Sequence, residues 1–121
     1  MDSFVSISIV RRFNDALNAA DVDTMMTLLT TDTVFENTDP PPDGERFEGI
    51  TQVREFWEGF FRGASSARIT EEEIFAFDDR CVMRWIYRWV DPQGKPGHIR
   101  GVDLYRLRDG LIAEKLSYVK G

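Results

Sequence analysis

The chain has 121 residues, 42% of them apolar and 30% charged, with a formal charge of −6 and a single cysteine, Cys81. That length suits one domain over residues 1–121; the composition excludes a disordered chain, and one cysteine excludes an internal disulfide or a cysteine-built zinc site. The acidic balance argues against nucleic acid or an anionic membrane surface as partner, and no apolar run approaches the roughly 20 residues of a bilayer span, so a soluble, cytoplasmic protein is expected.

The N-terminal SFVSISIV is too interrupted by serine, and lacks the basic flank, to read as a secretory leader. Instead Val5, Ile9, Phe13, Leu17 and Ala20 recur at spacings of three and four, which predicts a helix with one apolar stripe and Arg11, Asn14, Asp15 and Asn18 opposite. Asp21 caps a short second helix carrying Val22, Met25, Met26 and Leu29 inward. A brief strand, VFEN (34–37), follows. The stretch TDPPPDGERFEG, with three prolines and two glycines, reads as an irregular loop. From about Thr51 the helical spacing returns, and Val53, Phe56, Trp57, Phe60 and Phe61 form a broad aromatic face that ends at Gly63.

The second half reads as four strands, ARITEEEIFAFD, CVMRWIYRWVD, HIRGVDLYRLR and LIAEKLSYV, joined by links short enough to imply antiparallel hairpins. Strict alternation in CVMRWIYRWV puts Met83, Trp85, Tyr87 and Trp89 on one face and Val82, Arg84, Ile86, Arg88 and Val90 on the other. The separation of aromatics from arginines argues against a single-stranded nucleic-acid platform, which needs both on one surface. In HIRGVDLYRLR, Asp103 shares parity with Ile99, Tyr105 and Leu107. It is either an ion held by a buried partner or a working carboxylate raised in pKa by apolar neighbours. His98, the only histidine, has the opposite parity and is placed on an exposed rim. Glu71, Glu72 and Glu73 read as a solvated surface. One histidine and scattered carboxylates give no metal-ligand spacing, and no cofactor is expected.

Helices followed by a curved antiparallel or mixed sheet with one aromatic face predict an α+β layer fold. The segments ALNAADVDTMMTLLTTDTVFEN, FEGITQVREFW and GVDLYRLRDGLIAEKLSYV, in this order, resemble the nuclear-transport-factor-2-like superfamily. This is the cone-shaped α+β barrel of ketosteroid isomerase, limonene epoxide hydrolase and SnoaL-like cyclases. The resemblance to the isomerase implies that Asp103 is the hydrogen-bonding aspartic acid, a carboxylic acid kept neutral in an apolar site. It also puts Asn37 where the general base stands and Phe13 where the oxyanion-hole tyrosine stands. Likeness to the epoxide hydrolase suits Asn37 as a water-holding amide, but puts Phe35 in place of a tyrosine and Ser117 in place of an aspartate. Neither mechanism transfers whole.

These readings combine into an apolar pocket for a small organic ligand, lined by Phe13, Trp57, Met83, Trp85, Trp89 and Tyr105, with Asn37 and Asp103 as its polar groups. Lys115 and Ser117 join them if the last strand keeps the family register, which the RDG turn leaves open by one residue. Lys115 then either neutralises Asp103 or forms a Schiff base with a carbonyl substrate. Asp103 as acid or base and Asn37 as donor imply a cofactor-free isomerase, cyclase or dehydratase. A non-catalytic ligand-binding or interaction module stands beside that reading. The outer sheet face, with Val82, Ile86, Val102 and Leu104, is the expected homodimer interface.

Overall fold

In the computed structural model, which describes residues 2–63 and 67–121, Asp2 caps the first helix by accepting from the Phe4 amide at 2.7 Å. Helix α1 (Ser3–Asn18) buries Ile9, Val10, Phe13 and Leu17. The expected stripe fails at its ends: Val5 is exposed, and Ala20 lies past the helix in a left-handed turn with φ 54°. Asp21 caps α2 (Val22–Thr27) through the Thr24 amide, which turns Met25 and Met26 into the core. Leu29, expected in that helix, instead opens strand β1 (Leu29–Glu36), because it is drawn into register with Ile112.

Within the stretch expected to be wholly irregular, β2 (Arg46–Glu48) pairs antiparallel with β1. The last proline is Pro42, so every residue from Arg46 to Glu48 keeps the amide hydrogen a ladder needs. Helix α3 (Ile50–Gly63) buries Val53 and Trp57. The remaining strands are β3 (Ala67–Phe77), β4 (Arg80–Val90), β5 (Pro96–Arg108) and β6 (Leu111–Val119). They form one six-stranded sheet in the order β2-β1-β6-β5-β4-β3. All neighbours are antiparallel except β1 and β6, which are parallel. The expected α+β architecture is present, with the sheet open at β2 and β3 rather than closed into a barrel.

Helix α1 packs chiefly on β3 and β4, and α3 on β1 and β2, so both cover the same side. The exposed edge of β3 is occupied by side chains of α1. Asn18 accepts from the Ile69 amide at 2.8 Å and donates to the Ile69 carbonyl at 2.7 Å, and Asn14 donates to the same carbonyl at 3.1 Å. Thus the polar face opposite the apolar stripe serves as a substitute strand.

Two bulges set which residues face inward. On β3 the register jumps between Glu71 and Glu73, sending Glu71 to Arg11 on the helix side while Glu72 and Glu73 pair with Arg100 and Arg84. Between β5 and β6, Arg106 faces Glu114 but Leu107 faces Ile112, leaving Ala113 as an extra residue. Ile112 and Lys115 are therefore both buried, although an odd spacing separates them.

Candidate small-molecule site

Trp85 on β4 stands directly opposite Gly101 on β5, and Trp89 opposite Gly97. A Cβ on Gly101 would lie 2.6 Å from the Trp85 ring, and one on Gly97 2.6 Å from the Trp89 ring. The two glycines, four residues apart, receive two indoles four residues apart, and this fixes Trp85 against the sheet. Above it, α3 supplies Phe56, Trp57 and Phe60, whose rings meet edge-on or tilted at centroid separations of 4.9–6.2 Å. A cavity of about 340 Å³ lies between these layers, a size suited to a small organic molecule.

Six of the expected residues line it: Asn37, Trp57, Trp85, Asp103, Lys115 and Ser117. Phe13, Met83 and Tyr105 do not, because they are at most 1% exposed and lie in the core beneath. Trp89 also falls outside and borders a separate recess beside Gly97. Alternating parity assigns a face, but it does not tell how far along that face the core ends and the cavity begins. Phe35, Phe47, Phe56, Phe60, Tyr87 and Ile99 line the cavity without having been singled out for it. The sequence signals were present for four of them: the i, i+4 spacing of Phe56 and Phe60 on α3, the parity Tyr87 shares with Trp85, and the parity Ile99 shares with Asp103.

The bulge at Ala113 turns Lys115 inward, and the register then sets Ser117 opposite Asp103 and Lys115 opposite Tyr105. Lys115 Nζ donates to Ser117 Oγ at 2.9 Å and lies 3.5 Å from Asp103 Oδ2. It also stands over the Phe35 ring at 5.4 Å and the Trp57 ring at 5.7 Å, both favourable to a cation. The Tyr105 hydroxyl donates to Asp103 Oδ2 at 3.3 Å. Burial first, and then the neighbouring Asp103 charge, push the Tyr105 phenol well above its ordinary value. Burial raises the Tyr87 phenol as well.

Asp103 is 4% exposed, and its Oδ1 has no hydrogen-bond partner among the described residues. The same is true of Trp57 Nε1 and Trp85 Nε1. Buried polar atoms without partners are uncommon in folded proteins, and here one acceptor and two donors belong to residues that line one cavity. At the rim, the Glu45 amide donates to Asn37 Oδ1 at 2.6 Å, and the Asn37 amide donates to the Glu45 carbonyl at 3.0 Å. Gly44, with φ 72°, comes so close that a Cβ there would overlap the Asn37 carbonyl. The Asn37 side-chain oxygen therefore closes the loop at the mouth of the cavity that the residue helps to line. His98 is exposed on the other side of the sheet. Among the described residues no group of three or more His, Cys, Asp or Glu side chains is placed to hold a metal ion, and no helix is long and apolar enough to cross a membrane.

The SnoaL-like domain model matches residues 10–115. An NTF2-like protein of unknown function from Mesorhizobium loti is 36% identical, with 98% of this chain and 93% of that one covered and a TM-score of 0.81. An epoxide hydrolase of M. tuberculosis, described as LEH-like, is 19% identical over 98% of this chain and 84% of its own, with a TM-score of 0.82. TerC, crystallised with polyporic acid, is 14% identical over 96% and 92%, with a TM-score of 0.83. The last two likenesses establish the fold alone. No match was found among curated protein sequences.

Proposed function

The chain belongs to the SnoaL-like domain family, and from that premise we propose that its cavity binds a small apolar carbonyl compound and moves a proton on it without a cofactor. The observation that carries this reading is Asp103 Oδ1, a buried acceptor with no donor among the described residues, in a cavity that also holds the Lys115 ammonium. Asp103 Oδ1 takes the proton from the carbon next to the substrate carbonyl. The resulting enolate oxygen accepts hydrogen bonds from Lys115 Nζ and Asn37 Nδ2, which are donors already fixed before the charge develops. Return of the proton to another carbon completes an isomerisation; loss of a β-hydroxyl as water completes a dehydration; attack of the enolate carbon on a second carbonyl closes a ring.

The resemblance to the isomerase implied a neutral Asp103 that donates, and the sequence left an Asp103 that acts as base open beside it. The ion pair with Lys115 favours the other assignment, with Asp103 as the accepting group and the lysine as the donor. One observation favours a second reading, ligand binding without turnover. Asp103 Oδ2 is already engaged by Lys115 and Tyr105, so the carboxylate can anchor a ligand hydroxyl through Oδ1 and do nothing more. We also infer a homodimer through the outer sheet face.

The test is hydrogen–deuterium exchange at the α-carbon of cyclic ketones and lactones in D2O, followed by NMR, for the wild type and Asp103→Asn. Proton transfer by Asp103 requires catalysed exchange that falls by about 10²-fold or more in the variant. A thermal shift with these compounds but no exchange selects the binding reading. If no compound shifts the melting temperature and Asp103→Asn alters nothing, both fail.

A further inference from the structure

Two arginines and a histidine lie side by side on the sheet face remote from the cavity. Arg68 on β3 is in register with Arg88 on β4, and Arg88 with His98 on β5. All three are exposed. Like charges directly opposite on neighbouring strands destabilise a sheet; elsewhere on this face Arg80, opposite Arg106, donates to the Tyr105 carbonyl, and the other arginines are matched by acids. Arg84 pairs with Glu73, Arg100 with Glu72 and Arg106 with Asp79. Among the described residues, none of Arg68, Arg88 and His98 has a carboxylate at salt-bridge distance.

The acids nearby are already committed. Glu72 feels the charge of Arg88, but both its oxygens accept from Arg100, at 3.0 and 3.1 Å. Asp91 Oδ1 accepts from the backbone amides of Gln93 and Lys95, which holds the β4–β5 turn together. These three side chains border a recess of about 400 Å³ together with Thr70, Val90 and Pro96 of the same face.

We propose that this recess is a binding site for a small oxyanion, a phosphate or sulfate group, gripped by Arg68, Arg88 and His98 with the Thr70 hydroxyl beside them. Guanidinium forks match tetrahedral oxyanions, and an anion here removes the repulsion along the row. A nucleic-acid polymer is a poor occupant, because the rest of a chain of net charge −6 repels it. The site lies behind the sheet from Asp103, so it stands or falls independently of the cavity.

Backbone amide shifts followed by NMR, titrating inorganic phosphate and then phenyl phosphate against sodium chloride at matched ionic strength, test the proposal. Saturable shifts confined to residues 68–70, 88–90 and 96–98 are expected with phosphate and not with chloride. Tighter binding of phenyl phosphate marks the Val90 and Pro96 wall as a subsite for an organic ester, whereas equal binding marks the bare ion as the ligand. Arg88→Gln, and Arg68→Gln as a second exposed variant, are each expected to weaken binding by at least about tenfold. Non-saturating shifts shared with chloride, or unchanged affinity in both variants, overturn the proposal.

Discussion

Lys115 is the residue on which the cavity depends most. A lysine left 8% exposed is rare, and this one is retained by three kinds of contact: a carboxylate, a hydroxyl and two aromatic faces. Removing one partner of a buried ion pair leaves the other charge uncompensated. Lys115→Met is therefore expected to cost about 3 kcal/mol in urea unfolding, and most of that loss should return when Asp103→Leu is added. If the double variant is less stable than Lys115→Met alone by a full second increment, the two residues are not coupled. Cys81 offers a test of burial by pH. Its thiol is fully buried, and desolvation pushes it from 9.0 up to about 11. Above about pH 9 the unfolded chain loses this proton while the native chain holds it, so the unfolded state binds fewer protons and native stability falls with rising pH toward 11. Tyr105 adds a contribution of the same sign at higher pH. The expected result is slow iodoacetamide labelling of the native protein at pH 8, rapid labelling in urea, and a melting temperature that declines between pH 9 and 11. Fast labelling of the native protein would contradict the burial on which this rests.

At the scale of elements, the edge of β3 is closed by an amide side chain instead of a strand. Asn18→Leu keeps the helix but removes both an acceptor and a donor from Ile69, and each unmet buried backbone group costs about 1–3 kcal/mol. Amide exchange at Ile69 is expected to accelerate strongly, with a loss of about 1–2 kcal/mol in unfolding; unchanged protection of Ile69 would mean that the Asn18 oxygen is not what holds this amide. The elements with a strong period were legible in the sequence: α1 and α3 from their apolar spacing, β4 from its alternation, and the chain order of helices and strands that carried the family resemblance. What was not legible depends on pairing between distant segments. Leu29 is a strand residue because Ile112 lies beside it, and Arg46–Glu48 is a strand because β1 offers an edge. Lys115 is the sharpest case. Nothing in LIAEKLSYV announces the extra residue at Ala113, and without that bulge Ile112 and Lys115 have opposite parity and only one of them is buried. Asp103 was identifiable as an inward carboxylate and Lys115 as its possible counter-ion, but only the bulge decides that Lys115 turns inward to meet it.

At the scale of the whole molecule, the cavity side of the sheet is covered by helices and the outer side is bare. Across that outer side the registers align Phe75, Val82, Leu104 and Leu116 in one apolar row over four strands, with Phe75 about half exposed. On one side of it lie Glu73 with Arg84 and Glu72 with Arg100, and on the other Arg106 with Asp79. An apolar centre rimmed by charges that are already neutralised is the composition of a protein–protein interface. The neutral rim also lets two chains of net charge −6 approach each other through this face. A two-fold axis through the row would bring each protomer's row onto its partner's, the self-complementary arrangement of most homodimers. The oxyanion recess is six residues further along β4, about 20 Å from Val82, so a contact centred on the apolar row leaves it open. Leu104→Asp places a charge at the centre of the row and reverses no existing ion pair. Sedimentation equilibrium is expected to show a dimer for the wild type, insensitive to added salt because its centre is apolar, and a monomer for Leu104→Asp. The thermal shift given by cavity ligands should survive in that monomer, since Asp103 and Lys115 lie on the opposite side of the sheet and take nothing from a second chain. A wild type that stays monomeric at high micromolar concentration would rule the dimer out and leave the row as ordinary surface.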